Sequence, residues 1–302
     1  MDGRISNFQQ IASLRRYTLT EGRERGLDVI DCDNGNIRFL LNVSKALDIM
    51  QLYHRGQNIS FLSKNAFSVR ETDFSSRFEG GMLYTCGVDS VDGREGFAVH
   101  GSVHNMPAEI TRAECNEDGI TVEAIIRNTA LFGRNMTLYR KIYSKLGTGT
   151  VRVEDKLKNE AFTKENYCIL YHVNLGYPML DEGCTIEGDI VSAEPRTALA
   201  KENFADRFII TSPEAGREEN CYFLKFNRSI ISLNNIKLGK SFTLEFSKDT
   251  LPCFIEWKSM ASGDYALGLE PSTTELDDKF AYSTLGPGEA VDFSISLTVS
   301  EK

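Results

Sequence analysis

Apolar and polar side chains alternate along much of this chain with a period of two, most plainly in TVRVEDKL (150–157). That period belongs to strands with one face buried. The segments 35–44, 120–129, 136–145, 150–159, 184–193, 241–249 and 291–300 mix β-branched or aromatic residues with polar ones and read as strands. Asn34-Gly35, Asp92-Gly93, Asp118-Gly119 and Gly147-Thr148-Gly149 supply turns between them. Helical patterns are scarce. The stretch 61–82 reads as loop with one short helix, and 44–50 as a turn of helix or an irregular strand. The pattern predicts an all-β chain, a large sandwich or barrel of more than a dozen strands. With no repeat, low-complexity tract or Pro/Ser linker, residues 1–302 are expected to form a single domain.

Composition narrows the partners. The chain has 302 residues, 41% hydrophobic and 25% charged, with a net charge of −9 and no Lys/Arg-rich block. That composition is globular, and nothing in it suits nucleic acid. No run of 18 apolar residues predicts a membrane span. The first sixteen residues place charges where the apolar stretch of an export signal would lie. Seven scattered cysteines without a CxxC pair read as reduced, cytoplasmic thiols and not as a zinc site. A neutral or weakly charged small molecule is the expected ligand, and no cofactor is implied.

Unusual polar residues collect in three stretches. FAVHGSVHNM (97–106) holds two of the four histidines, His100 and His104. ILYHVNLGYPML (169–180) places His172 and Asn174 on one face of a strand. There they form either a satisfied core pair or a ligand site. CFIEWKSMASGDYALGLEPSTTE (253–275) carries Trp257, Lys258 and Glu270. Glu270 ends the apolar run YALGL, and Pro271 holds its backbone extended. It is either a rim carboxylate or a base with a raised pKa. Trp257 is either core or a stacking plate for a sugar ring. HxxxH binds zinc on a helix with Glu after the first His. Here Gly101 follows instead, and the metal reading left open is a site from His100, His104 and His172.

The ordered set Gly80-Gly81, Thr85-Cys86-Gly87, His100-Gly101, Pro107-Ala108-Glu109, YHVNLGYP (171–178), EWK (256–258) and LEP (269–271) resembles the galactose mutarotase-like (aldose 1-epimerase) superfamily. It looks closest to a bacterial branch of undefined substrate. The resemblance covers nearly the whole chain. It implies an antiparallel β-supersandwich with a sugar cleft and few short helices. It also implies that His100 binds sugar, that His172 is the general acid and Glu270 the general base, and that Arg77, with Arg70 as rival, contacts hydroxyls. An aspartate that the well-studied mutarotases use between the second histidine and the glutamate finds no clear match, which weakens galactose or glucose as substrate. His104, Asn174, Lys258, Trp257 and Asp48 are further candidate sugar contacts. The implied reaction is anomer exchange in a monosaccharide or modified sugar, by general acid/base ring opening, in a monomer or homodimer. A non-catalytic carbohydrate-binding module and a metal-dependent sugar isomerase are the alternatives.

Overall fold

A computed structural model of the protein describes residues 3–69 and 72–302. Two antiparallel sheets account for most of it. The smaller runs in chain order through β1 (Ser13–Thr18), β2 (Asp28–Asp33), β3 (Ile37–Asn42), β4 (Asp48–His54) and β5 (Gln57–Asn58). A four-residue helix, α1 (Phe74–Arg77), follows. Then come β6 (Leu83–Val88), β7 (Ala108–Asn116), β8 (Gly119–Thr129), β9 (Asn135–Ser144), β10 (Thr150–Asn159), β11 (Glu165–Gly176) and β12 (Thr185–Pro195). After the short helix α2 (Ala198–Glu202) the chain continues through β13 (Asn220–Asn235), β14 (Lys240–Phe246), β15 (Cys253–Ala261), β16 (Asp264–Ser272), β17 (Ser283–Leu285) and β18 (Ala290–Glu301). These form one 13-stranded sheet in the order β17-β11-β16-β15-β13-β14-β18-β10-β9-β8-β7, with β6 on β11 and β12 on β13.

The alternation in the sequence becomes the inside and outside of this sheet. In β10, Val151, Val153, Asp155 and Leu157 are buried, while Arg152, Glu154 and Lys156 face outward. One apolar layer joins Ile37, Phe39 and Leu41 of the small sheet to Val122, Leu138, Val153, Tyr171, Leu233, Leu269 and Leu297 of the large one. β11 breaks the alternation because both its faces are covered: every residue from Tyr167 to Gly176 is buried. Ile169, Tyr171 and Val173 enter that main layer. Cys168 and Leu170, together with Tyr84, Cys86, Cys221, Phe223 and Ile255, form a second apolar cluster on the other face.

An ionic network lies inside the main layer. Arg140 on β9 and Asp155 on β10 are register partners, joined by Nε–Oδ1 and Nη2–Oδ2 bonds of 2.9 and 2.7 Å. Arg140 also donates to Asp48 (2.5 Å), to the Ala46 carbonyl and to Thr85. The Tyr171 hydroxyl donates to Asp155 (2.7 Å). His104 donates from Nδ1 to Asp48 (2.6 Å) and from Nε2 to Glu79 (3.0 Å), and Lys45 donates to Glu79 (2.7 Å). Burial alone would neutralise His104, but Asp48 and Glu79 overcome it and raise its pKa. Burial likewise pushes Asp48 up, yet Arg140 and His104 hold it below the usual carboxylate range. Three carboxylates thus face three cations. Because Asp48 begins β4, the network ties the small sheet to the large one.

Candidate active site

The second apolar cluster floors a cleft. Leu170 pairs with Ser272 and Val173 with Leu269, a register that sets His172 of β11 across from Glu270 of β16. His172 Nε2 and Glu270 Oε1 stand 3.2 Å apart. Both side chains are almost wholly buried, and neither His172 Nδ1 nor Glu270 Oε1 has a hydrogen-bond partner. Burial, reinforced by Glu219, raises Glu270 well above the ordinary carboxyl range. Burial, then the neighbouring His100, lowers His172 well below the usual imidazole value. Each group is therefore driven toward its neutral form.

His100 approaches from above, its ring centroid 5.3 Å from that of His172. It sits in left-handed backbone (φ 66°), as does Gly101 (φ 70°). A Cβ on Gly101 would lie 2.4 Å from the Ser90 carbonyl oxygen and 2.5 Å from Asp89 Oδ1, so only glycine fits after this histidine. His100 Nδ1–H donates to the Val91 carbonyl (3.1 Å), which leaves Nε2 as an acceptor toward the cleft. Burial, with Arg77 adding to it, pushes His100 down to about 4, so it stays neutral.

The cleft has a volume of about 250 Å³. Phe74 and Phe78, i and i+4 about the single turn of α1, cover it from one side. Trp257, Ile255, Cys221, Val99 and Leu276 complete the apolar wall, and Arg196 and Glu219 stand toward its mouth. Trp257 Nε1 donates to Glu219 (2.7 Å). Arg196 donates from Nε and Nη2 to Asp277 (2.6 and 2.9 Å). Gly268 keeps the floor open. A Cβ there would stand 2.4 Å from Glu270 Oε1 and 3.0 Å from His172 Cε1. Gly268→Ala is expected to displace the carboxyl and lower turnover about 10²-fold, with the thermal midpoint little changed; unaltered turnover would show that the carboxyl's position is not critical.

Of the residues singled out in the sequence, His100, His172, Glu270 and Trp257 meet here. Five others do not line the cleft. Lys258 follows Trp257 in a strand and so faces the opposite side, where Nζ donates to the Arg207 (2.5 Å) and Ile209 (3.3 Å) carbonyls. Asn174 shares the face of His172 but lies one strand repeat beyond, and its amide donates to the carbonyl of His172. His104 is in a 3₁₀ turn (Val103–Asn105), and with Asp48 it belongs to the ionic network. The Tyr84 ring, stacked on His104 at 3.6 Å, also borders His100 and separates the network from the cleft. The zinc set His100, His104 and His172 is thus not assembled. Among the described residues no group of three or more His, Cys, Asp or Glu is placed to hold a metal. Arg77 is carried by α1 and is not among the lining residues; its Nε is buried without a hydrogen-bond partner, and its charge acts on His100. Arg70 lies outside the described residues.

Several lining residues had no part in the sequence reading. The i, i+4 spacing of Phe74 and Phe78 was visible beside Arg77 and could have marked them. Arg196 and Glu219 carry no local signature, because the cleft is assembled from strands far apart in the chain.

The fold is that of the galactose mutarotase-like β-supersandwich. A candidate aldose 1-epimerase of Klebsiella pneumoniae superposes with a TM-score of 0.85 at 18% identity, over 96% of this chain and 84% of that one. A galactose mutarotase-like protein of Clostridium acetobutylicum gives 0.72 at 13%, over 97% and 100%. A candidate aldose 1-epimerase of Escherichia coli K12 gives 0.62 at 12%, over 96% and 100%. No curated protein matches the sequence. A family model described as a domain of unknown function (DUF4432) matches residues 24–299. Among the described residues no helix is long and apolar enough to cross a membrane.

Proposed function

The chain belongs to the DUF4432 family, and from that premise we propose that it is a carbohydrate isomerase of the aldose 1-epimerase type, exchanging the anomers of a monosaccharide or modified sugar. The observation that carries the reading is the buried His172–Glu270 pair, 3.2 Å apart, on the floor of a monosaccharide-sized cleft. Sugar-ring opening requires a proton to leave the anomeric hydroxyl and another to reach the ring oxygen. Those two oxygens share one carbon, so adjacent acid and base groups can serve both.

Burial favours the proton on Glu270. The carboxylic acid then protonates the ring oxygen as His172 Nε2 takes the anomeric proton. The C1–O5 bond breaks and a carbonyl forms at C1. Rotation about C1–C2 presents its other face, and the same two groups return both protons in reverse as the ring closes. No electrons or atoms are gained or lost. The opposite assignment, His172 as acid and Glu270 as base, is the same pair with its proton moved, and a full cycle uses both directions. His100 Nε2 accepts from a neighbouring hydroxyl, and the Trp257 face packs on the ring's C–H groups. The seven free cysteines favour a reducing, cytoplasmic setting.

The test is magnetisation exchange between α and β anomeric protons across a sugar panel, with and without protein. Faster exchange of at least one sugar is expected, and exchange of none above the uncatalysed rate would remove the catalytic reading.

A further inference from the structure

The cleft is poor in hydroxyl partners. His172 and Glu270 are occupied by the two oxygens on C1. Among the described lining residues, Arg196 is the only lysine or arginine, and Asp277 takes its Nε and Nη2. Its remaining Nη1 faces the Cys221 sulfur at 3.8 Å. Glu219 gives one oxygen to Trp257. That leaves His100 Nε2, the second Glu219 oxygen and the Arg196 N–H groups that Asp277 does not take to meet hydroxyls away from C1. A hexopyranose has four such hydroxyls. The others would lie against Phe74, Phe78, Val99, Ile255 and Leu276, where a polar group loses water and gains no partner. A phosphate or carboxylate on the sugar would meet Glu219, and the one arginine among the described lining residues already faces Asp277. The volume of about 250 Å³ also falls below that of pockets for larger ligands.

We propose that the substrate is an uncharged deoxysugar, a monosaccharide lacking at least one hydroxyl away from the anomeric carbon. The inference rests on the anomer-exchange reading above and extends it to a substrate class. The missing hydroxyl is replaced by C–H surface that the phenylalanine, isoleucine and leucine walls cover at no cost in hydrogen bonds.

The experiment compares catalysed exchange, after subtraction of the uncatalysed rate, within matched pairs: D-galactose and 6-deoxy-D-galactose, L-mannose and 6-deoxy-L-mannose, D-glucose and 2-deoxy-D-glucose, D-ribose and 2-deoxy-D-ribose. In the pair with the highest kcat/KM, the deoxysugar is expected to exceed its parent by about 10- to 100-fold. A parent sugar that matches or exceeds its deoxy partner overturns the substrate class and leaves anomer exchange standing. Exchange of no sugar overturns anomer exchange itself, and the substrate class with it. Ile255→Thr and Leu276→Asn each place a hydrogen-bonding group in the wall. At least one is expected to raise the parent's kcat/KM relative to the deoxysugar's, and a ratio unchanged in both would overturn the argument from the walls.

Discussion

Glu270→Gln and His172→Asn should each lower catalysed anomer exchange by about 10²–10⁴-fold, the usual contribution of a positioned acid or base. Wild-type kcat/KM should rise and fall with pH through two limbs. Its acid limb falls below the ordinary imidazole value of 6.5, because the depressed His172 must gain a second proton for the pair to fail. Its alkaline limb falls well above the ordinary carboxyl value of 4.5, because the raised Glu270 keeps the pair's proton. These limbs belong to the pair and not to either residue alone. Stability separates loss of chemistry from loss of fold. The native Glu270 carboxyl keeps its proton at pH values where the unfolded chain has released it, so this group's contribution to stability falls as pH rises above 4.5. Glu270→Gln escapes that loss, and its thermal midpoint at pH 8 should equal or exceed that of the wild type. A variant that is folded and still fully active would remove Glu270 from the chemistry.

The largest effect on stability is expected from Arg140→Met. Arg140 is 1% exposed, and Asp48 and Asp155 are 2% and 3% exposed. Removing the guanidinium leaves both carboxylates buried with one cation fewer, which costs about 3–5 kcal/mol when one partner of a buried pair is lost. For a chain of this length that corresponds to a fall in thermal midpoint of roughly 5–8 °C. Asp155→Asn added to Arg140→Met should recover part of the loss by restoring the balance of charge. Arg112→Ala, which breaks a solvent-exposed pair with Glu114, is the control and should leave the midpoint where it was. An Arg140→Met midpoint as high as the control's would mean that the network contributes nothing to stability. Calorimetry or circular dichroism melts read all of these.

The strands that could be read from sequence are those with one wet face, such as β8, β9, β10 and β18, where buried and less buried positions alternate over most of the length. The long β13 was missed because its pattern changes phase. Tyr222, Leu224 and Phe226 point into the main layer, then Ile231 and Leu233 do, and its pairing with β12 is irregular between. His172 and Glu270 stood out in the sequence because an imidazole and a carboxyl lay within otherwise apolar strands. Strand parity already forbade Trp257 and Lys258 from sharing a cleft, a constraint present in the sequence. The place of His104 was not legible. It is fixed by Asp48 and Glu79, which lie 56 and 25 residues away in the chain.

The Arg140–Asp155 partnership also acts as a check on strand alignment. If β9 slid by one residue along β10, one strand would turn its other side inward. One of the two ions would then be stranded in a layer of leucine and valine, far from its counter-charge. A slide of two residues would keep the sides but set Asp155 opposite Leu138 or Ile142. Long antiparallel ribbons built from similar β-branched residues have several near-equivalent alignments, and hydrophobicity alone separates them poorly. Here the misaligned ribbons carry an electrostatic penalty that the correct one avoids.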